Sequence, residues 1–113
     1  MIIYRKWGVS PGAKATTRGP FIFVDPAFAS DPGLVPHEEV HVAQFWRTFG
    51  LHVLLYRFNA SYRLKAEVEA YKVQLQCYPA GERDARQVDY AAYLASHYSL
   101  NITQEQAMQA LAS

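Results

Sequence analysis

The sequence predicts an α+β protein that is mostly helical, with two short N-terminal strands followed by several helices. Three observations lead to this class. Aliphatic and aromatic residues fill two short stretches before residue 26, apolar residues recur at helical spacing after residue 33, and proline, glycine and small polar residues separate these segments. Half of the 113 residues are hydrophobic. That number of hydrophobic residues is enough to fill one buried core, so residues 1–113 are expected to form a single domain.

The first strand is predicted in residues 1–7, MIIYRKW, and the second in residues 21–25, FIFVD, because both are rich in β-branched and aromatic side chains. Residues 8–20 contain glycine, proline and small polar residues, which predict a surface loop. Pro26 ends the second strand, and another loop leads the chain to the first helix.

That helix contains PHEEVHVAQFWRTFG, residues 36–50. It is expected to begin between Gly33 and Pro36, since proline is tolerated in the first helical turn. Gly50 suits the left-handed position just past the helix end. Val40, Phe45, Trp46 and Phe49 supply apolar surface at helical spacing.

The later segments predict four more helices. LHVLLYRF, residues 51–58, is short and apolar, and a turn near Asn59 leads to a longer helix over residues 63–77. Residues 82–98 form an amphipathic pattern whose apolar side would consist of Val88, Ala91, Tyr93 and Leu94. Thr103 and Gln106 have the spacing of a capping box, which predicts a last helix over residues 104–112.

Charge and cysteine content exclude several classes of protein. Eleven basic and ten acidic residues give a net charge of +1, which lacks the basic excess of a nucleic-acid-binding protein. Cys77 is the single cysteine and cannot form an internal disulfide. No apolar run approaches the roughly 18 residues of a membrane helix, and the N-terminus lacks the features of a signal peptide. We therefore expect a cytoplasmic protein with neither nucleic acid nor a membrane as partner.

His37, Glu38 and His41 form the pattern H-E-x-x-H. On a helix, residues four apart lie on the same face, so both imidazoles can reach one ion at about 2.0–2.1 Å. Glu38 lies about 100° around the helix, where its carboxylate can act on a water rather than join the ligands. The alternative is that these are ordinary polar residues of a helix.

A catalytic zinc site usually has three protein ligands and one position for water. His52 follows the break at Gly50 and is expected to be a partly buried, hydrogen-bonded side chain, whereas His97 is expected to be structural or exposed. The helix over residues 63–77 offers Glu67 and Glu69. Glu69 could pair with Lys65 four residues before it, while Glu67 shares the apolar face and needs a cation there.

HEEVH followed by EVEAY, residues 67–71, resembles the gluzincin metallopeptidases, in which H-E-x-x-H is joined by a glutamate from a second helix. The resemblance implies a zincin-like fold, with a small N-terminal sheet packed on the motif helix, and Glu67 as third ligand. Tyr71 stands where many gluzincins have an aspartate that supports a zinc-bound histidine, so its hydroxyl or another residue would supply that hydrogen bond. The chain length is similar to that of small single-domain members, often called minigluzincins.

The resemblance further implies one Zn²⁺ per chain, held by His37, His41 and Glu67, and a peptide or protein substrate. Glu38 would act as general base on the zinc-bound water. The substrate would lie extended, with the edge of the FIFVD strand as a pairing site. A donor for the developing oxyanion is also needed, and Tyr71 and Tyr62 rank first among Tyr56, Tyr62, Tyr71 and His97.

Two other functions stay open from the sequence. The metal could serve only to fasten helices together, or the chain could be an interaction domain without metal. The resemblance also implies that a chain of this size would lack the C-terminal subdomain that lines the cleft of larger gluzincins. Self-association, or coverage of the cleft by the helix over residues 104–112, is also compatible with the sequence.

Overall fold

A computed structural model describes all 113 residues and has three short strands and five α-helices. The strands are β1 (Ile2–Ile3), β2 (Ala15–Arg18) and β3 (Phe21–Val24). The helices are α1 (Leu34–Arg47), α2 (His52–Phe58), α3 (Ala60–Leu75), α4 (Ala80–Ser96) and α5 (Gln104–Ala112). The predicted class, α+β and mostly helical, is confirmed.

The sheet has the order β1-β3-β2 and contains a strand that the sequence did not predict. β2 lies inside the segment expected to be a loop and pairs antiparallel with β3, with Thr16 opposite Phe23. Its residues ATTR lack an apolar alternation, so only pairing identifies them as a strand. The two-residue turn through Gly19, whose φ is +60°, sets that pairing. β1 is shorter than predicted because only Ile2 and Ile3 pair with β3.

β3 is the central strand, which changes where an extended ligand could pair. Its backbone bonds to β1 on one side and to β2 on the other, and Ile22 and Val24 are buried. The expectation of a free edge on FIFVD is therefore wrong. The open edge next to the helices belongs to β2.

The start of α1 agrees with the prediction, and its end involves two left-handed residues rather than one. Both Phe49, with φ of 52°, and Gly50, with φ of 84°, adopt this conformation. The amide of Gly50 donates to the carbonyl of Phe45 at 2.8 Å, which closes the helix end. The chain then turns directly into α2.

α3 begins three residues earlier than predicted because Asn59 caps it. The Asn59 side chain accepts a hydrogen bond from the amide of Tyr62 at 3.0 Å. α3 packs against α1, α2 and α4. α3 thus joins α1 and α2 to α4, whereas the sheet packs against α1.

The main apolar cluster lies between α3, α4 and α5, and it corrects the predicted face of α4. Tyr90, Ala91 and Leu94 are buried there, whereas Val88 and Tyr93 are exposed. α5 supplies Ala107 and Leu111 to this cluster. Its predicted capping box between Thr103 and Gln106 is confirmed.

No helix of this fold combines the length and the apolar character that crossing a lipid bilayer requires.

Candidate metal centre

His37, His41 and Glu67 converge at the contact between α1 and α3. Nε2 of His37 and Nε2 of His41 each lie 3.2 Å from the same oxygen, Oε1 of Glu67. All three side chains are buried. One donor atom from each residue lies within 4.8 Å of the others, so the group could hold a metal ion.

The spacing of these atoms fits a small divalent cation. Tetrahedral zinc with bonds of about 2.0–2.1 Å separates neighbouring ligand atoms by about 3.3 Å. Both observed nitrogen–oxygen separations are 3.2 Å. Two imidazoles and one carboxylate are also ligands that zinc accepts in proteins.

Gln44 fixes the orientation and tautomer of His41. Its Nε2 donates to the carbonyl of Ala66 at 3.1 Å and to Oε1 of Glu69 at 2.7 Å. Because the amide nitrogen is occupied in this way, Oε1 of Gln44 must be the atom that accepts from Nδ1 of His41, 2.8 Å away. In a neutral His41 the unprotonated Nε2 then faces Glu67, so a proton or a metal ion must lie between these two acceptors.

Glu69 supports this arrangement from the protein surface. It pairs with Arg47, whose Nη2 lies 3.0 Å from its Oε1. The alternative pairing with Lys65 on the same helix is not formed. Glu69 thus links α3 to the end of α1 and orients the amide of Gln44.

The three donors are strongly coupled electrostatically. Burial works against the charged form of Glu67, but hydrogen bonds and charge from His37 and His41 dominate and hold its pKa below the usual range. Burial likewise opposes the charged form of His41, yet the hydrogen bond and charge of Glu67 raise its pKa to about 9. The second oxygen of Glu67, Oε2, accepts a hydrogen bond from the hydroxyl of Tyr56.

Glu38 lies beside the three donors without joining them. Its Oε2 is 3.9 Å from Nε2 of His37, and the side chain is buried. Burial raises the pKa of Glu38, while His37 and His41 partly offset this effect. The two carboxylates therefore differ, since the pKa of Glu67 is lowered whereas that of Glu38 is raised.

A cleft of about 800 Å³ opens onto the site. Residues 10–19, which include β2, form one wall, and helices α1 to α4 with the segments that follow α3 and α4 contribute most of the rest. Thr17 anchors β2 to α1 through a hydrogen bond from its Oγ1 to the carbonyl of Glu38, at 3.1 Å. α5 lines no part of the cleft, so it does not block access.

The structure brings Tyr71 to the cleft but not Tyr62. The ring of Tyr71 lies edge-on to His37, with 4.5 Å between ring centres, and its hydroxyl bonds to that of Tyr98. The hydrogen bond from Tyr71 to a ligating histidine is therefore absent, and Nδ1 of His37 is buried without a partner. Tyr62 instead bonds to Nδ1 of His52 at 2.7 Å.

The two remaining histidines follow their predictions. His52 is buried, hydrogen-bonded to Tyr62, and lies near His41 with 5.9 Å between ring centres. His97 is exposed and bonds to the hydroxyl of Ser96. Neither residue belongs to the group of metal donors.

Sequence reasoning missed Gln44 and Tyr98, and it considered Tyr56 only as one of four candidate oxyanion donors. Gln44 had a signal, since it follows His41 by three residues and so lies one turn further along the same helix. Tyr56 and Tyr98 reach the site from α2 and from the segment after α4, and no spacing in the sequence relates them to Glu67. Only the packing of these segments brings them there.

Comparison of the chain with protein-family models, with curated protein sequences and with solved structures found no match.

Proposed function

We propose that this protein is a zinc-dependent peptidase of gluzincin type with a zincin-like fold. The observation that supports this function best is the convergence of His37, His41 and Glu67 on one point of an open cleft. Glu38 lies beside that point and is not used as a donor to the same centre. A site that only fastened helices together would have no need of such a carboxylate.

One zinc ion per chain, held by these three donors, would supply a Lewis acid that polarises a carbonyl group and makes a water more acidic. Peptide hydrolysis also requires proton transfer, placement of the substrate and stabilisation of the developing negative charge. These tasks would be carried out by side chains and backbone groups of the protein.

Glu38 is proposed to take the proton of the attacking water and to deliver it to the leaving amine. A general base works best when its pKa is close to the working pH, and burial raises the pKa of Glu38 in that direction. Thr17 holds the backbone of Glu38 from the facing strand. This contact fixes the backbone of residue 38 relative to β2.

The open edge of β2 is proposed to bind the substrate backbone. Backbone groups along an antiparallel strand alternate between its two sides, and the amide of Asp25 bonds to the carbonyl of Lys14. With this register, Ala15 and Thr17 direct their backbone groups away from β3. An extended peptide can pair with them while its scissile bond lies next to Glu38.

The hydroxyl pair of Tyr71 and Tyr98 is proposed to stabilise the oxyanion. Two hydroxyl groups that bond to each other use only one of their two protons in that bond. The second proton is available to a negatively charged oxygen in the cleft, which both side chains line. Tyr56 is less suited because its hydroxyl is already bonded to Glu67.

A non-catalytic zinc module is the alternative. One observation favours it, namely that the donors are deeply buried and join α1 to α3, so a metal there would also stabilise the fold. Both functions predict zinc binding. They differ in what Glu38 does.

The experiment measures zinc by elemental analysis and cleavage of a mixed peptide library by mass spectrometry. Wild type is expected to contain about one zinc per chain and to cleave peptides. Glu67→Ala should lose most of the zinc, and Glu38→Gln should keep it but lose cleavage. Glu39→Gln is the matched control, because Glu39 is the exposed neighbour of Glu38 on the same helix. It should retain both properties.

Stoichiometric zinc without cleavage of any peptide would favour the non-catalytic module. Cleavage that persists in Glu38→Gln would refute the proposed base. Absence of zinc from protein purified with zinc in the buffer would leave only an interaction domain.

A further inference from the structure

The turn between α1 and α2 exposes an unusual set of large apolar side chains. Phe49 at the turn is 96% exposed, Phe58 75% and Trp46 62%. Leu51 and Leu54 are more than half exposed as well. These five residues are called the apolar corner below.

The apolar corner has the spacing of one helix face. Leu51, just before α2, and Leu54 and Phe58 within it recur at intervals of three and four residues. The opposite face of α2 turns inward, where His52 packs beside His41. α2 thus differs from the usual amphipathic helix, because its solvent-exposed face is more apolar than its inward face.

The backbone holds Phe49 outside the protein. This residue has a φ of 52°, a left-handed conformation that side chains other than that of glycine rarely adopt. Its amide is fixed by the carbonyl of Trp46 at 3.1 Å, and the amide of Gly50 by that of Phe45. The backbone therefore keeps this aromatic ring at the surface, where it can enter a lipid layer.

The charge around the apolar corner indicates which kind of partner surface it would bind. Residues 40–66 contain four basic residues and neither Asp nor Glu, and one of the four, Arg63, donates to three backbone carbonyls of the protein. Arg57 lies beside Phe58, with its guanidinium carbon 5.4 Å from the ring centre, and Lys65 is also exposed. Arg47 forms an ion pair with Glu69, which is the carboxylate of α3 that reaches this side.

We propose that the apolar corner is a docking site for an anionic lipid surface. Aromatic and aliphatic side chains would enter the boundary between headgroups and acyl chains, while Arg57 and Lys65 would contact lipid phosphates and carboxylates. A spanning segment is not needed for such a contact, so the lack of a helix long enough to cross a bilayer does not bear on it. The expectation of no membrane partner rested on spanning length alone.

A second copy of the chain is a poorer fit to this surface. A two-fold interface brings identical patches together, so Arg57 and Lys65 of one copy would approach those of the other. Glu69, the exposed carboxylate that lies beside Lys65, is already paired with Arg47. An anionic bilayer supplies the missing charge.

Sedimentation with vesicles tests the proposal. Wild type is expected to bind vesicles of phosphatidylcholine containing roughly one third phosphatidylserine, and to bind pure phosphatidylcholine much more weakly. Added salt should weaken the binding. The double variant Phe49→Ser/Phe58→Ser should lower the partition coefficient by about tenfold or more, because it removes two aromatic rings that would be buried in the bilayer. Val88→Ser, at an exposed apolar position of α4, should not change it.

The two tryptophans provide an internal control. In Trp7→Phe the emission reports on Trp46 alone, and in Trp46→Phe on Trp7 alone, and both side chains are exposed in the free protein. Vesicles should shift the emission of Trp46 to the blue and leave that of Trp7 unchanged. Glu38→Gln should bind vesicles as wild type does, because the surface is separate from the metal centre.

Three outcomes would overturn the proposal. Equal binding to neutral and anionic vesicles would show that the negative charge of the lipid is not recognised. Equal emission shifts of both tryptophans would show that the apolar corner is not the part of the protein that faces the bilayer. Concentration-dependent dimers that Phe49→Ser abolishes, with no vesicle binding, would assign the apolar corner to a second copy. Circular dichroism confirms that each variant is folded.

Discussion

Gln44 accepts a hydrogen bond from His41 at 2.8 Å while its own amide nitrogen is committed to α3. This relationship determines which imidazole nitrogen faces Glu67. Because α3 holds the amide nitrogen of Gln44, the tautomer of His41 also depends on how α1 packs against α3. His37 has no equivalent partner, so the two histidines of the motif are held in different ways.

Gln44→Ala is predicted to weaken zinc binding by about 10- to 100-fold, the usual effect of removing a hydrogen bond to a ligating histidine. A competition titration against a chromogenic chelator measures the dissociation constant. Gln109→Ala, an exposed glutamine of α5, is the control and should bind as wild type does. Unchanged affinity in Gln44→Ala would show that other contacts orient His41.

Zinc affinity is predicted to increase with pH up to about 9. Without metal, His41 is protonated below this pH because the hydrogen bond and charge of Glu67, despite burial, raise its pKa to about 9. Metal binding must displace that proton, so the apparent affinity should rise about tenfold per pH unit between 6 and 8. The same titration at three pH values measures it, and a flat profile would contradict the prediction.

Tyr71→Phe and Tyr98→Phe are each predicted to lower kcat by about 100-fold if the hydroxyl pair stabilises the oxyanion. Tyr62→Phe should leave kcat nearly unchanged, since Tyr62 bonds to His52 and lies outside the cleft. Peptide hydrolysis rates at saturating substrate provide the measurement. A larger loss in Tyr62→Phe than in the other two would reverse the assignment.

Arg63→Ala is predicted to destabilise the fold by about 2–4 kcal/mol. The guanidinium of Arg63 donates to the carbonyls of Tyr56, Tyr98 and Ser99, and thereby joins α2 to the segment after α4. Urea unfolding gives the free energy. Arg57→Ala removes an exposed arginine and should change it by less than about 0.5 kcal/mol. Similar values for both variants would argue against this role.

Leu94→Ala is predicted to cost about 2–5 kcal/mol, because Leu94 is fully buried in the main apolar cluster. Val88→Ala should cost well under 1 kcal/mol, since Val88 is exposed. Comparison of the two unfolding midpoints tests the corrected face of α4. A larger cost at Val88 would restore the face predicted from the sequence.

The sequence by itself determined what depends on local spacing. An interval of four residues places His37 and His41 on one face of α1, and the apolar face of α3 already favoured Glu67 over Glu69. Helix bounds followed from short-range signals as well, such as Gly50 after α1 and the capping box of α5. These features hold for any protein in which the segments are helical.

Tertiary structure decided what depends on distant segments. β2 became a strand because β3 pairs with it, and its position made β3 a central strand without a free edge. Tyr56 reached Glu67, and the hydroxyl of Tyr71 turned to Tyr98 rather than to a histidine, through the packing of α2 and of the segment after α4. The physical reason is that backbone periodicity fixes directions within one element, whereas contacts between elements depend on how buried surfaces fit together.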